Sequence, residues 1–292
     1  MKVLLHVNYL EGAGDCLTRL FALAARVGCD GVELRWKYRY DDRTQEEYCN
    51  LVADLKQRYP EMEIVFGGNI PFCRGNDAEI SSELEAYGKF LEWSKKACDT
   101  KVMNFFAGNI FPIHGGYGVG AMHMGGSGIA CEADYERAAS GLRKVGDMAA
   151  PLGIRLALET HNGYLHDLAK PCAKLMEMTA HDAIGINYDH GNIILNKGGE
   201  SIDQVFQILP EKIYYAHLKN MMLSPLPDGS VSYAVTRLSD GYIDQYRVMR
   251  YLKKHLKSDM IAIEYPCPGD GVIAAIKDME YIQFLKNELN IQ

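Results

Sequence analysis

The stretch Arg155-Leu156-Ala157-Leu158-Glu159-Thr160-His161 is an apolar run that stops abruptly on a carboxylate and an imidazole. A buried strand carries Leu, Ala and Leu without penalty, but an ionised Glu at its end needs a cation or hydrogen-bond donors to offset lost hydration. Three later runs are built the same way: Ile184 to Asp189, Ile213 to His217, and Met260 to Glu264. Short apolar strands that each finish on a metal-capable side chain restrict the fold, because their polar ends must find one another. A parallel barrel, whose strand ends converge on one mouth, satisfies all four at once.

The rest of the chain keeps the same rhythm. Strand-like runs stand at Lys2 to Asn8, Gly31 to Arg35, Met62 to Phe66 and Lys101 to Phe106, and helical periodicity fills the intervals. Thr44 with Glu47 and Ser201 with Gln204 read as capping boxes, while Gly28 and Pro60 read as helix stops. Further helices are expected over 77–98, 132–150, 171–179, 244–256 and 272–289. Eight strands and eight helices without a linker or composition break predict one α/β domain over 1–292, a single (β/α)8 TIM barrel. The rival, a doubly wound open sheet, lacks a GxGxxG after its first strand. Two connections are long: 107–130, with seven glycines after Gly108, and 219–243, with Pro225, Pro227, Asp228 and Gly229.

Composition narrows the function classes. A hydrophobic content of 48% over 292 residues is ample for one large core, and a formal charge of -7 gives no general attraction for nucleic acid or anionic membranes. No apolar run approaches about 18 residues, so no membrane span is expected. The opening Met1-Lys2-Val3-Leu4-Leu5-His6 reaches polar Asn8 and Glu11 too soon for a signal peptide. Eight scattered cysteines without a CxxC pair read as reduced thiols, with Cys98 and Cys172 acting as small hydrophobes. The expected compartment is the cytoplasm.

From Glu159 to Asp189 is 30 residues, to His217 a further 28, and to Glu264 a further 47, the last gap lengthened by the second long connection. The four therefore end neighbouring strands. Three carboxylates and one imidazole form a hard, oxygen-rich set that favours one Mn²⁺ or Mg²⁺ and admits Co²⁺ or Zn²⁺. A dication offsets only part of the negative charge, so one Glu with a raised pKa, suited to proton transfer, is expected.

Glu159-Thr160-His161, Asn187-Tyr188-Asp189-His190-Gly191-Asn192, His217-Leu218-Lys219 and Ile263-Glu264-Tyr265 resemble the motifs of the xylose isomerase-like TIM barrel superfamily, especially its sugar isomerases and epimerases. The resemblance implies that Glu159, Asp189, His217 and Glu264 bind one catalytic divalent metal. It also implies a sugar or sugar derivative as substrate, and barrels of this kind often form homo-oligomers. A metal chelated by a sugar's carbonyl and adjacent hydroxyl acidifies the C–H between them and stabilises an ene-diolate, with Glu159 and Glu264 as base and acid.

Other residues are expected at the mouth by position. His161 and His190 are candidates for substrate contact, and Lys219, two beyond His217, should point inward with it by strand alternation. Glu33 and Arg35 end the second strand as a substrate clamp or an internal ion pair, and Trp36 can stack on a sugar face. His6, Asn69 and Asn104 are weaker candidates. The glycine-rich connection, with His114 and His123, reads as a lid. The chain departs from the better-known ketose 3-epimerases: Leu165 stands where their strand-five motif has a second Glu, and Asn192 where they have a His. This favours the broad class over a named free-ketose epimerase, and the runner-up, from related barrels that this one resembles, is a lyase on the same scaffold, dehydrating inososes or cleaving keto-glycosides. AP endonucleases share the barrel but typically carry more metal-binding histidines, and a non-catalytic sugar-binding barrel completes the alternatives.

Overall fold

The computed structural model describes residues 1–10, 15–38, 41–111, 125–196, 198–227, 231–264 and 269–292. Its strands, in chain order, are β1 (Lys2–His6), β2 (Gly31–Arg35), β3 (Glu63–Asn69), β4 (Val102–Phe106), β5 (Arg155–Glu159), β6 (Ile184–Asp189), β7 (Ile213–Leu218), β8 (Asn220–Pro225), β9 (Val231–Thr236) and β10 (Met260–Ile263). The helices are α1 (Cys16–Val27), α2 (Gln45–Arg58), α3 (Asp77–Cys98), α4 (Glu132–Ala149), α5 (Ala169–Thr179), α6 (His190–Ile193), α7 (Ile202–Ile208), α8 (Gln245–His255) and α9 (Gly271–Glu288). Eight strands close a barrel in the order β1-β10-β7-β6-β5-β4-β3-β2, and the first pairs again with β2. Every pair in it is parallel.

The helix starts follow their local chemistry. Thr44 and Glu47 close the capping box of α2, the Thr44 N–H donating to Glu47 Oε2 at 2.7 Å. Ser201 and Gln204 do the same for α7. Gly28 ends α1 at φ 80, left-handed backbone that a side chain would strain. Among the described residues no helix is long and apolar enough to cross a membrane. Cys98 and Cys172 are free and buried, as small hydrophobes would be.

Two apolar layers form. The larger lies between sheet and helices, and a smaller cluster joins Leu4, Val65, Ala157, Tyr215 and Ala262. By strand alternation these share a face with His6, Gly67, Glu159, His217 and Glu264 two residues further on. The small cluster is thus the plug inside the barrel, and the polar residues are the layer resting on it.

The structure corrects the reading of 219–243 as an open connection. Asn220–Pro225 and Val231–Thr236 pair antiparallel as a hairpin, with Met222 and Tyr233 exposed. Its strands bury too little for apolar alternation to announce them. β3 runs on to Asn69 through Gly67 and Gly68; a Cβ at Gly68 would stand 3.0 Å from Tyr87 and 3.1 Å from Trp36. β10 stops one residue before Glu264, and β7 continues one residue past His217.

Candidate active site

Glu159, Asp189, His217 and Glu264 come from β5, β6, β7 and the end of β10, which are neighbours in the barrel. Asp189 and His217 are register partners, and the Glu264 N–H donates to the Leu218 carbonyl at 2.9 Å. Each of the four offers one ligand atom, and these atoms lie within 4.8 Å of one another. His217 Nδ1 is 3.4 Å from Glu159 Oε2, 3.9 Å from Asp189 Oδ2 and 3.2 Å from Glu264 Oε2. Its other nitrogen, Nε2, sits 2.8 Å from Glu33 Oε2.

This arrangement fits a divalent ion. Burial acts to lower the His217 imidazole, but Glu33, Glu159 and Glu264 overcome it and hold the group well above its usual range. Without metal, Nδ1 therefore carries a proton toward the carboxylates, and a divalent ion would take that proton's place. His217 Nδ1 is buried without a hydrogen-bond partner among the described residues, 3.2 Å from a Glu264 Oε2 that also meets the Lys219 ammonium at 2.9 Å. Burial pushes Asp189 up to about 7, with Lys219 pulling the other way and Glu159 and Glu264 adding to the rise. Burial also acts to raise Glu159, but His217 outweighs it and holds that carboxyl at about 2. Glu264 is likewise held well below the carboxylate range, because Lys219 and His217 overcome burial. In the metal-free site the raised group is Asp189, whereas the raised Glu expected from the sequence belongs to the site with a divalent ion bound.

A polar network surrounds the cluster, and within it Asn8 and Tyr215 are not singled out by the sequence. Asn104 Nδ2 donates to Glu159 Oε2 at 2.8 Å and to Glu33 Oε1 at 3.1 Å, and Asn192 Nδ2 donates to Glu159 Oε1 at 3.0 Å. Asn187 Nδ2 donates to Asn104 Oδ1 at 3.1 Å. Asn8 Nδ2 donates to Glu264 Oε1 at 3.1 Å, and Arg35 donates to Asn8 Oδ1 at 2.7 Å. Glu33 accepts from the Tyr215 hydroxyl at 2.8 Å. Glu33 is thus the anchor of His217, and Arg35 reaches the cluster through Asn8.

Above the cluster opens a cleft of about 410 Å³, within the size range of small-molecule sites. Glu159 and Glu264 line it, as do Glu33, Arg35, His161 and Trp36. The Trp36 ring stands edge-on to Tyr87 at 5.1 Å, so it both packs on α3 and walls the cleft. Phe106 and Tyr164, with ring centroids 4.9 Å apart, form a second aromatic wall, against which His161 packs. His6, Asn69 and Asn104 also line the cleft.

One expected contact falls elsewhere. His190 begins α6, is buried against Tyr188 at 5.8 Å and is not among the residues lining the cleft. Alternation explains this, because Asp189 faces inward and the next residue outward. Lys219 points inward with His217 as alternation placed it, its Nζ 2.7 Å from Asp189 Oδ2 and 2.9 Å from Glu264 Oε2, although it is not among the residues lining the cleft. His114 and His123 lie outside the described residues. The described ends of their connection are tied to the segment after β5: the Ile110 N–H donates to the Gly163 carbonyl at 2.7 Å, and Ser127 N–H to Asp167 Oδ2 at 3.0 Å.

His166 holds that segment in place. It accepts the Ala107 N–H at Nε2 (3.2 Å), which leaves Nδ1–H to donate to the Glu159 carbonyl at 2.6 Å. Burial pushes its imidazole down to about 4. Between that value and about 6.5 the unfolded chain binds a proton that the folded chain refuses, so stability rises with pH. The contribution, on the order of 3 kcal/mol, is complete above about pH 6.5 and lost as pH falls to about 4. His190, also pushed down to about 4 by burial, acts in the same direction. Urea unfolding of His166→Gln at pH 4.5 and 7 should show a shallower loss on acidification than the parent chain; an unchanged slope would remove His166 from the account.

A family profile described as xylose isomerase-like TIM barrel matches residues 21–286. An inosose dehydratase of Clostridium botulinum (strain Alaska E43 / Type E3) is 24% identical over 165 residues, 52% of this chain and 55% of that protein, so the match spans about half of that relative. Among solved structures, L-ribulose 3-epimerase superposes with a TM-score of 0.73 at 15% identity, covering 99% of this chain and 95% of the other. A xylose isomerase-like TIM barrel protein from Mycobacterium smegmatis in complex with magnesium gives 0.71 at 17% identity, covering 99% and 97%. At these identities the superpositions speak for the fold alone. The profile, however, runs from within α1 to within α9 across every strand between them, and on that match the chain belongs to the xylose isomerase-like TIM barrel family.

Proposed function

We propose that this chain is a divalent-metal-dependent enzyme that removes a proton from the carbon beside the carbonyl of a sugar, as an isomerase or epimerase. One observation carries the reading: of the four side chains suited to one ion, Glu159 and Glu264 also line the cleft, while Asp189 and His217 lie fully buried beneath it. The hard donor set suits Mn²⁺ or Mg²⁺. When bound, such an ion would polarise a carbonyl and a neighbouring hydroxyl oxygen and make the C–H between them more acidic.

The chain's own groups divide the remaining work. Asn104 and Asn192 hold both Glu159 oxygens, which fixes that carboxylate's direction. Glu264 is held by Asn8 at Oε1, and its Oε2 is paired with the Lys219 ammonium at 2.9 Å. β5 and β10 are separated by two strands in the barrel, so the two carboxylates approach a substrate from different sides. One takes the proton as base, and the other, after taking up a proton from solvent, returns it as acid. Return to the opposite face of the same carbon inverts it, and return to the neighbouring carbon isomerises the sugar. Trp36 and the Phe106–Tyr164 wall offer faces to sugar C–H groups, and Arg35 and His161 offer donors to hydroxyls.

The match to an inosose dehydratase favours a second reading, a lyase. Here the same base removes the proton, the hydroxyl on the next carbon leaves with a proton from the acid, and a C=C bond forms. Incubation of the Mn²⁺-loaded protein in D₂O with a panel of ketoses and an inosose separates the two. Deuterium entering a ketose without loss of water supports the first, and a dehydrated product supports the lyase. Elemental analysis should give one divalent ion per chain; none bound, with no rise in Tm on adding Mn²⁺ or Mg²⁺, overturns both.

A further inference from the structure

We propose that Lys219 is an internal cation of the site, holding Asp189 and Glu264 together in the metal-free protein and competing with a divalent ion for their oxygens. Its Nζ lies 2.7 Å from Asp189 Oδ2 and 2.9 Å from Glu264 Oε2, and it donates to Asn192 Oδ1 at 3.2 Å. Asp189 Oδ2 and Glu264 Oε2 are also among the oxygens nearest His217 Nδ1, at 3.9 Å and 3.2 Å. The ammonium and a bound dication would therefore draw on the same atoms. The inference rests on the metal reading of the site, which it deepens.

The lysine has a built slot. A Cβ on Gly191 would stand 2.5 Å from Lys219 Cγ and 2.8 Å from its Cδ, so the stem passes where only a glycine leaves room. The backbone is pinned as well, because Gln245 Nε2 donates to the Lys219 carbonyl at 2.8 Å. At 3% exposure Lys219 is enclosed, and it is not among the residues lining the cleft. A flexible lysine kept for substrate would be expected to show its ammonium to the cleft; this one spends its N–H groups on protein acceptors.

The charge balance agrees with this placement. Glu159, Asp189 and Glu264, with Glu33 behind His217, carry four negative charges when ionised, of which Lys219 offsets one and a dication would offset two more. Without either cation, like charges crowd inside a low-dielectric barrel, and the cluster would strain the four strands that carry it. Lys219 lets the barrel close before metal is loaded, and it makes the loaded ion exchangeable. It is a positioning residue, acting through Asp189 and Glu264.

The test uses the full-length protein stripped of metal with EDTA, at pH 8, with Mn²⁺ as probe. Lys219→Met should lower the Tm of the metal-free protein by roughly 5–10 °C. It should also tighten Mn²⁺ binding, read by isothermal calorimetry, by about tenfold or more, since both the competitor and a nearby positive charge are gone. Gly191→Ala keeps the lysine but crowds its stem, and should shift Mn²⁺ affinity in the same direction even if Lys219→Met fails to fold. Wild-type binding of one Mn²⁺ with both variants unchanged in affinity, and Lys219→Met unchanged in metal-free Tm, overturns this inference alone. Absence of Mn²⁺ binding in every variant overturns the metal reading beneath it.

Discussion

Glu264→Gln should bind one Mn²⁺ per chain at saturating metal yet lose turnover and solvent-proton exchange by about 10²–10⁴-fold, the range for removing a general acid or base. The amide oxygen can still accept the 3.1 Å hydrogen bond from Asn8 and still offer one lone pair to an ion. What disappears is the second oxygen, Oε2, which is paired with the Lys219 ammonium at 2.9 Å. An amide nitrogen in its place can neither take a proton nor return one. Metal content by elemental analysis and deuterium wash-in by mass spectrometry keep binding and chemistry apart. Exchange at the parental rate with metal retained would show that Glu264 is a ligand only.

The four proposed ligands were legible because each is a local event: a short apolar run interrupted by a carboxylate or an imidazole at a strand end. The capping residues of α2 and α7 were legible for the same reason, since partner and target lie three residues apart. The polar partners around the cluster were not. Glu33 meets His217 across 184 residues, and Asn104 meets Glu159 across 55, so no sequence window contains both members. Lys219 was legible in direction only: alternation placed it inward with His217, where its ammonium meets Asp189 and Glu264, but that its partners would be the chain's own carboxylates rather than a substrate's groups was not. Asn192, noted as a departure from the ketose epimerases, proves to bridge Glu159, Asp189 and Lys219. A neutral amide there accepts from the ammonium and donates to both carboxylates, which a single imidazole ring could not do with the same three partners.

Glu33→Ala is expected to be the most damaging change outside the four ligands. The carboxylate is fully buried and accepts from the Tyr215 hydroxyl and His217 Nε2, both at 2.8 Å, and from Asn104 Nδ2 at 3.1 Å. Burial alone would raise its pKa, but His217 and His6 outweigh burial and hold Glu33 ionised. Truncation leaves three donors in the barrel interior without this acceptor and an imidazole without its counter-charge. Breaking a buried pair in this way costs about 3–5 kcal/mol. For a chain of this length that corresponds to a fall in Tm of roughly 10 °C. Because Glu33 also sets which His217 nitrogen carries the proton, the Nδ1 lone pair loses its fixed direction, and metal affinity should drop about 10- to 100-fold. Glu33→Gln separates the two effects: its amide fills the volume, so it should recover part of the Tm, but its NH₂ group opposes one of the donors and metal binding should stay weak. If Glu33→Ala melts with the parent chain and binds Mn²⁺ as tightly, then His217 is oriented by something other than this carboxylate, and the direction of Nδ1 toward the cluster needs another cause.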